Sequence, residues 1–467
     1  MRPVLTLSFR ALLFRVCLLA IAPTFCFSFL GKSFFPSLTY ADAQTVESEA
    51  SEEDTDTVEG AADTDGEAAE IDAENSEADG SETDNSEAGN SETDSEETTE
   101  QLIPLTLLDC YDEGYAASLV SKDTQLFGTE LTEGDRQSLL IAIDYSLDYL
   151  GTQAAADAYA NYPVEGVTRS RVRRSLERFR DLVTESDSTE ALREAVTQEF
   201  EFYQAVGQDD EGTVAFTGYF EPTYKASLTP NADYPYPIYK APADLENWPE
   251  PHPTRLDLEG ADGLQGNQGP LKGLELAWLP TRLEAFLIQV QGSARLELAD
   301  GSTFSVGYDG RTNYEYSSVG RALIDDGIIA EEDLTLPVLI EYFDQNPTAM
   351  DTYLPKNERF VFFRATDGAP ATGNLGYPVT AGRSIATDKS VMPPGALALI
   401  NLPLPQRAEN GDFEVVNTSR FVLDQDTGGA IKGAGRVDLF VGTGSDAGDV
   451  AGLINDTGAL YYLLLKE

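Results

Sequence analysis

Beyond residue 101 the apolar residues follow two successive rhythms, first with the period of a helix and then with the period of a strand. Leu139, Ile143, Leu147 and Leu150 share one helical face, as do Val172, Leu176, Phe179 and Val183, and then Leu192, Val196, Phe200 and Tyr203. Spacings of three and four residues place such side chains in one stripe, so packing helices are expected within 102–212. From Thr213 onward the segments shorten and Gly punctuates them. Phe286, Ile288 and Val290 alternate with Leu287, Gln289 and Gln291, which predicts a strand, and Asp300-Gly301 turns the chain into a further strand, Thr303 to Val306. Two helices are expected to interrupt this β region. One runs from about Ser317 to Asp326 and stops at Gly327; the other runs from about Pro337 to Gln345 and stops at Asn346-Pro347. Beyond Gly373 the pattern returns to strands and Gly-rich loops as far as Leu465.

Upstream the pattern changes character twice. Arg2, Arg10 and Arg15 precede and flank the apolar stretch Val16 to Leu30, and Ala41-Asp42-Ala43 follows, the layout of an export signal over 1–43. A retained single-span anchor is the alternative, because the apolar character continues through Phe34 and Phe35. Residues 44–101 hold 23 acidic residues and no Lys or Arg, with almost no large apolar side chain. Such a segment lacks the apolar surface to fold and is expected to be a self-repelling, disordered linker. An exported chain also meets an oxidising environment, but Cys17 and Cys26 fall within the signal, which leaves Cys110 alone and no internal disulfide partner for it. Cys110 reads as a small buried hydrophobe.

Charge and histidine count narrow the chemistry. The formal net charge of −50 repels phosphate backbones, so nucleic-acid binding is not expected. The Arg-rich run Arg169, Arg171, Arg173, Arg174 and Arg178 is the one basic patch and reads as a solvated helix face. His252 is the only histidine and lies in a Pro-rich run, which disfavours a His-based nucleophile system or a His-rich zinc site. Carboxylates are left as the chemical groups, with no cofactor or metal expected.

The densest candidate is Asp426-Thr-Gly-Gly-Ala-Ile-Lys-Gly433 followed by Arg436-Val-Asp-Leu-Phe-Val-Gly442. A strand that buries Val437, Leu439 and Val441 turns Asp438 to the opposite face. The glycines allow close backbone approach, which would let Asp426 sit beside Asp438 across a tight crossover and turn one of the two into a proton donor. Turn-capping by both aspartates is the plainer alternative that spacing alone leaves open.

These residues also resemble a known family. Ser384-Ile-Ala-Thr-Asp388-Lys-Ser-Val-Met-Pro-Pro-Gly395, the Asp426 run and Arg436-Val-Asp438 are similar, in order, to the three-aspartate domain of the membrane-bound lytic transglycosylase A family. Thr217-Gly-Tyr-Phe-Glu-Pro222, Tyr236-Pro-Ile-Tyr239, Pro253-Thr-Arg255, Gln289-Val-Gln-Gly-Ser293 and Asn357-Glu-Arg-Phe-Val-Phe-Phe363 resemble its other signatures. The resemblance implies a mainly β chain: a double-psi β-barrel from 213–222 and 374–467, an inserted second β-domain over 223–373, and N-terminal helices over 102–212.

It further implies cleavage of peptidoglycan glycan strands with 1,6-anhydromuramyl products. Asp438 would be the acid and then the base, with Asp426 as its neighbour. Thr217, Tyr219, Gln289, Gln291, Ser293, Asp388 and Lys432 would face the sugar. An Arg436 close to Asp438 would favour the charged carboxylate and oppose the acid role. The implied setting is the periplasm or cell envelope, at the outer membrane, with a monomer acting alone or with cell-wall synthesis or division proteins. A hydrolase of another β-linked glycan and a non-catalytic wall-binding module are the alternatives.

Overall fold

The computed structural model describes residues 103–467 apart from 109–112, 121–122, 124, 129–133 and 409–410. The export signal, the acidic linker and Cys110 lie outside the described residues. The N-terminal part runs β1 (Leu105–Leu107), α1 (Glu113–Val120), α2 (Arg136–Leu150), α3 (Gln153–Tyr159), α4 (Arg169–Glu185), α5 (Thr189–Glu199) and β2 (Phe200–Ala205). Leu139, Ile143 and Leu150 of α2 are buried, as are Val172, Leu176, Phe179 and Val183 of α4, so the stripes do what their spacing predicts. Thr152, Thr168 and Ser188 each accept a backbone N–H from three residues on and so start α3, α4 and α5. The third predicted stripe is shorter than expected. The chain becomes extended at Phe200, so Phe200 and Tyr203 are strand residues, with Phe200, Phe202 and Ala205 fully buried.

Next come β3 (Val214–Glu221), β4 (Thr223–Lys225), β5 (Tyr236–Tyr239), α6 (Arg255–Glu259), β6 (Glu275–Leu279), α7 (Arg282–Gln291), β7 (Ser293–Glu297) and β8 (Thr303–Arg311). They are followed by α8 (Val319–Asp325), α9 (Leu336–Gln345), α10 (Met350–Tyr353) and β9 (Val361–Ala365). Helices α8 and α9 fall where the sequence places them, and Pro337 occupies the first turn of α9. Segment 286–291 is a correction: it is helical, not a strand. Thr281 and Glu284 form a reciprocal capping box and Gly292 ends α7 in a left-handed conformation at φ 82°. Leu283, Ala285, Phe286, Leu287 and Ile288 are all buried, and a segment apolar on every side carries no readable period. The predicted turn at Asp300-Gly301 is present, and it joins β7 to β8. Strands β4, β7, β8 and β9 form one sheet in that order, and β5 pairs with β6 in another.

The chain ends with β10 (Ser384–Ala386), β11 (Leu397–Arg407), β12 (Phe413–Asp426), β13 (Arg436–Thr443), α11 (Ser445–Ala451) and β14 (Asn455–Leu465). The order β14–β11–β12–β10–β13–β3 closes on itself because β3 also pairs with β14, which makes a six-stranded barrel with β2 and β1 added beside β14. Pairs β10–β12 and β13–β3 are parallel. This is the mainly β architecture, with helices N-terminal, that the sequence predicts. The barrel core merges with the helices: Phe179 of α4 stacks on Phe421 of β12 at 4.8 Å, and both join the cluster that holds Ile385, Val437 and Leu439.

Candidate active site

Register fixes the site. Asp438 on β13 pairs with Thr217 on β3, and on its other side with Ala386 on β10, which in turn pairs with Asp426 on β12. Directly paired residues project to the same face of a sheet, so Thr217, Asp438, Ala386 and Asp426 form one row across four strands. The intervening Phe216, Val437, Leu439 and Ile385 point the other way into the core. One step along the strands, Tyr219 pairs with Phe440, and their rings lie 5.2 Å apart.

The row explains the contacts. The Thr217 hydroxyl donates to Asp438 Oδ1. Arg436, two residues before Asp438 and on the same face, brings its Nε to 3.5 Å from that oxygen and its Nη2 to 3.5 Å from Thr217 Oγ1. The guanidinium is therefore ion-paired with the carboxylate but makes no hydrogen bond to it through Nε. The Tyr219 hydroxyl crosses to Asp426 Oδ2 at 2.8 Å, and the amides of Asn374 and Thr427 each reach Oδ1 at 2.8 Å. Burial raises the Asp426 carboxyl above the usual range in spite of these donors, and the same burial with Asp426 nearby raises the Tyr219 phenol.

Two expectations about the pair change. Asp426 does not adjoin Asp438, because β10 lies between them and two strand spacings separate paired residues by about 10 Å. Its raised pKa comes from burial first, and Asp438 is not among the causes.

The other expected sugar-facing residues scatter. Gln289 is on α7, 7% exposed, and its Oε1 accepts from Arg255 Nη2 at 2.8 Å and the Val361 amide at 3.1 Å, so it is committed to the interior of the insert. Gln291 Oε1 accepts the Phe220 amide at 3.1 Å and ties α7 to the end of β3. Ser293 opens β7 opposite Gly307. Asp388 spends Oδ1 on the Ser390 amide and hydroxyl and Oδ2 on the Gly433 amide at 2.7 Å. Burial opposes its charge, but those donors prevail and hold Asp388 below the usual carboxylate range. Lys432 is exposed and 3.6 Å from Glu315 of the insert.

Several neighbours were not legible in the sequence. Burial raises the phenol of Tyr316, on the loop after β8, with Arg436, Asp438 and Arg359 among the charges around it. Arg359 is buried against the loop that carries Gly429. Lys389 bonds Thr387 Oγ1 at 3.0 Å, the Asp426 carbonyl at 2.5 Å and the buried carboxylate of Asp424, bracing β12 beneath the row. No periodicity marks these three, and only Arg359 and Lys389 lie within quoted motifs. His252 is buried and its Nδ1 accepts the Asn313 amide at 3.3 Å. Among the described residues no group of three or more His, Cys, Asp or Glu is gathered as metal ligands would be, and no helix is long and apolar enough to cross a membrane.

Comparisons with known proteins meet this geometry. The family model for the MltA specific insert domain matches residues 215–364 and that for the 3D domain matches 383–464. Membrane-bound lytic murein transglycosylase A of Escherichia coli K12 is 32% identical over 263 residues, covering 56% of this chain and 68% of the relative. The Vibrio cholerae protein of that name is 33% identical over 267 residues, covering 56% and 69%. Among solved structures, a membrane-bound lytic murein transglycosylase from Agrobacterium tumefaciens aligns with a TM-score of 0.56 at 26% identity, over 71% of this chain and 93% of the other. E. coli MltA with bound chitohexaose aligns with a TM-score of 0.54 at 26% identity, over 70% and 90%. With both family models matched in order and relatives at least 32% identical covered to two thirds of their length, the chain belongs to the membrane-bound lytic murein transglycosylase A family.

Proposed function

We propose that the chain is a peptidoglycan lytic transglycosylase, a lyase that cleaves the β-1,4 bond between N-acetylmuramic acid and N-acetylglucosamine and uses Asp438 twice. The observation that carries the reading is the pairing of Asp438 with Thr217 on adjacent parallel strands, outside the barrel core. Both Thr217 and Arg436 meet Oδ1, which leaves Oδ2 as the oxygen to hold the proton.

In the first half Asp438 gives that proton to the glycosidic oxygen as the bond to the muramyl anomeric carbon breaks, and the N-acetylglucosamine end leaves with a free 4-hydroxyl. In the second half the Asp438 carboxylate takes the proton of the muramyl 6-hydroxyl as that oxygen bonds to the same carbon. The acid is restored, the product is a 1,6-anhydro ring, and no water is consumed. Arg436 suits the interval in which Asp438 is charged, and Thr217 keeps the carboxyl oriented through both transfers. Tyr219 and Asp426 form the adjoining wall, with 213–222 and 374–467 as the catalytic side of the groove and 223–373 as the facing side. One carboxylate suffices here, unlike the two-carboxylate scheme of most glycosidases. The enzyme would act in the periplasm at the outer membrane; the membrane-bound names of its relatives support the coarser placing at the cell envelope.

The test is digestion of purified peptidoglycan with masses measured for the products. Anhydromuramyl ends are expected, and Asp438→Asn should lower kcat by about 10²- to 10⁴-fold. Reducing muramyl ends, or an Asp438→Asn enzyme of full activity, would sink the assignment.

A further inference from the structure

The insert presents cations to the loop that joins β12 to β13. Arg311 ends β8, Arg359 precedes β9, and both reach the Tyr314 carbonyl, at 3.3 Å from Arg311 Nη1 and 2.9 Å from Arg359 Nε. Arg359 Nη2 lies 3.7 Å from Glu315 Oε2, and Lys432 Nζ of the barrel loop lies 3.6 Å from the same oxygen. These two contacts are ion pairs longer than hydrogen bonds, and Glu315 itself is 74% exposed. Arg359 is anchored: it is 7% exposed, and a Cβ added to Gly429 would stand 1.6 Å from its Nη1. The loop that carries Gly429 and Lys432 connects this band to the chemistry, since it joins Asp426 at the end of β12 to Arg436 at the start of β13, two residues before Asp438.

The carboxylates nearby make no hydrogen bond to the band. Asp388, which stays charged within the field of Lys432, has both oxygens occupied by Ser390 and Gly433, and Asp309 is paired with Arg364 at 3.3 Å. Arg311 bonds to the carbonyls of Thr312 and Tyr314. Arg359 and Lys432 thus share one loosely held, solvent-exposed carboxylate, and Arg311 joins Arg359 on the Tyr314 carbonyl, in a chain whose formal net charge is −50. A protein so acidic repels anions over most of its surface, and a local cationic rim beside a reacting group reverses that field where it matters for binding.

We propose that Arg311, Arg359 and Lys432 bind a carboxylate carried by the glycan next to the cleaved bond, so that the groove selects acidic strands over neutral polysaccharides. This inference rests on the transglycosylase reading. The incoming carboxylate takes the place of the exposed Glu315 on Arg359 Nη2, Nη1 being packed against Gly429, while Lys432 closes from the barrel side. Two sources share this chemistry: the lactyl carboxylate of a muramyl residue without its stem peptide, and the carboxylates of the stem.

The experiment uses the full chain and glycan strands in several forms: with stems, stripped of stems by an amidase, and each of these with its carboxyls converted to uncharged amides. The wild-type KM should be roughly three- to tenfold higher on amidated strands, with kcat little changed. Arg311→Gln and Lys432→Gln should move that ratio toward one. The form that shows the larger ratio identifies which carboxylate is bound. A wild-type ratio of one, or a ratio undiminished in both variants, overturns the proposal. If no strand is cleaved the reaction assignment falls, while co-sedimentation of the Asp438→Asn protein with the same strands still decides the cationic rim: equal binding to charged and amidated strands overturns it.

Discussion

Asp426 meets three donors and is still pushed toward its neutral form, whereas Asp438 on the same row meets one hydroxyl and one guanidinium. Burial behind Tyr219 accounts for the first. Its consequence for stability has a definite sign. A carboxyl whose pKa is raised by folding contributes stability that is fully present below the usual carboxylate range and is lost as pH rises through the raised value. Asp426→Asn removes that titration. Urea midpoints measured from acid to neutral pH should therefore fall less steeply for the variant than for the wild type across the window just above the usual carboxylate range. Parallel curves would contradict the raised Asp426 carboxyl.

At the scale of elements, α11 holds the barrel strand that carries Thr217. Gly218 faces α11, and a Cβ there would stand 2.7 Å from Ala451 Cα and 2.8 Å from its carbonyl oxygen, against backbone that cannot rotate away. Gly218→Ala should cost about 1–3 kcal/mol in denaturant unfolding through overpacking. An unchanged midpoint would mean that the helix does not press on β3. The same scale shows why α7 was missed from its apolar pattern. Its run Leu283 to Gln289 is buried apart from Glu284, and the ends, Thr281 with Glu284 and then Gly292, distinguish it from a strand. Element type was carried there by capping chemistry and not by periodicity.

For the molecule as a whole, one buried arginine joins the N-terminal segment to the barrel. Arg383, next to β10, is 0% exposed and bonds Asp123 Oδ2 at 2.7 Å, Asp135 Oδ1 at 2.5 Å and the Phe421 carbonyl at 2.8 Å. Arg383→Met strands two carboxylates and should destabilise the fold by about 3–5 kcal/mol. Adding Asp123→Leu and Asp135→Leu should recover part of that loss, and a failure to recover any would point to packing instead of charge. By itself the sequence determined what is local. The stripes of α2 and α4, the turn at Asp300-Gly301 and the alternation of Val437, Asp438 and Leu439 follow from side chains a few residues apart, where chain geometry leaves little choice. The ordered motifs added the family and with it the barrel. Only the tertiary structure decided what lies beside what: β10 between Asp426 and Asp438, Gln289 turned into the insert core, and Glu315 and Arg359 of the insert brought against the loop that carries Gly429 and Lys432. Those relations depend on strand register and on the packing of two sheets, which many residues fix jointly and no short run of sequence records.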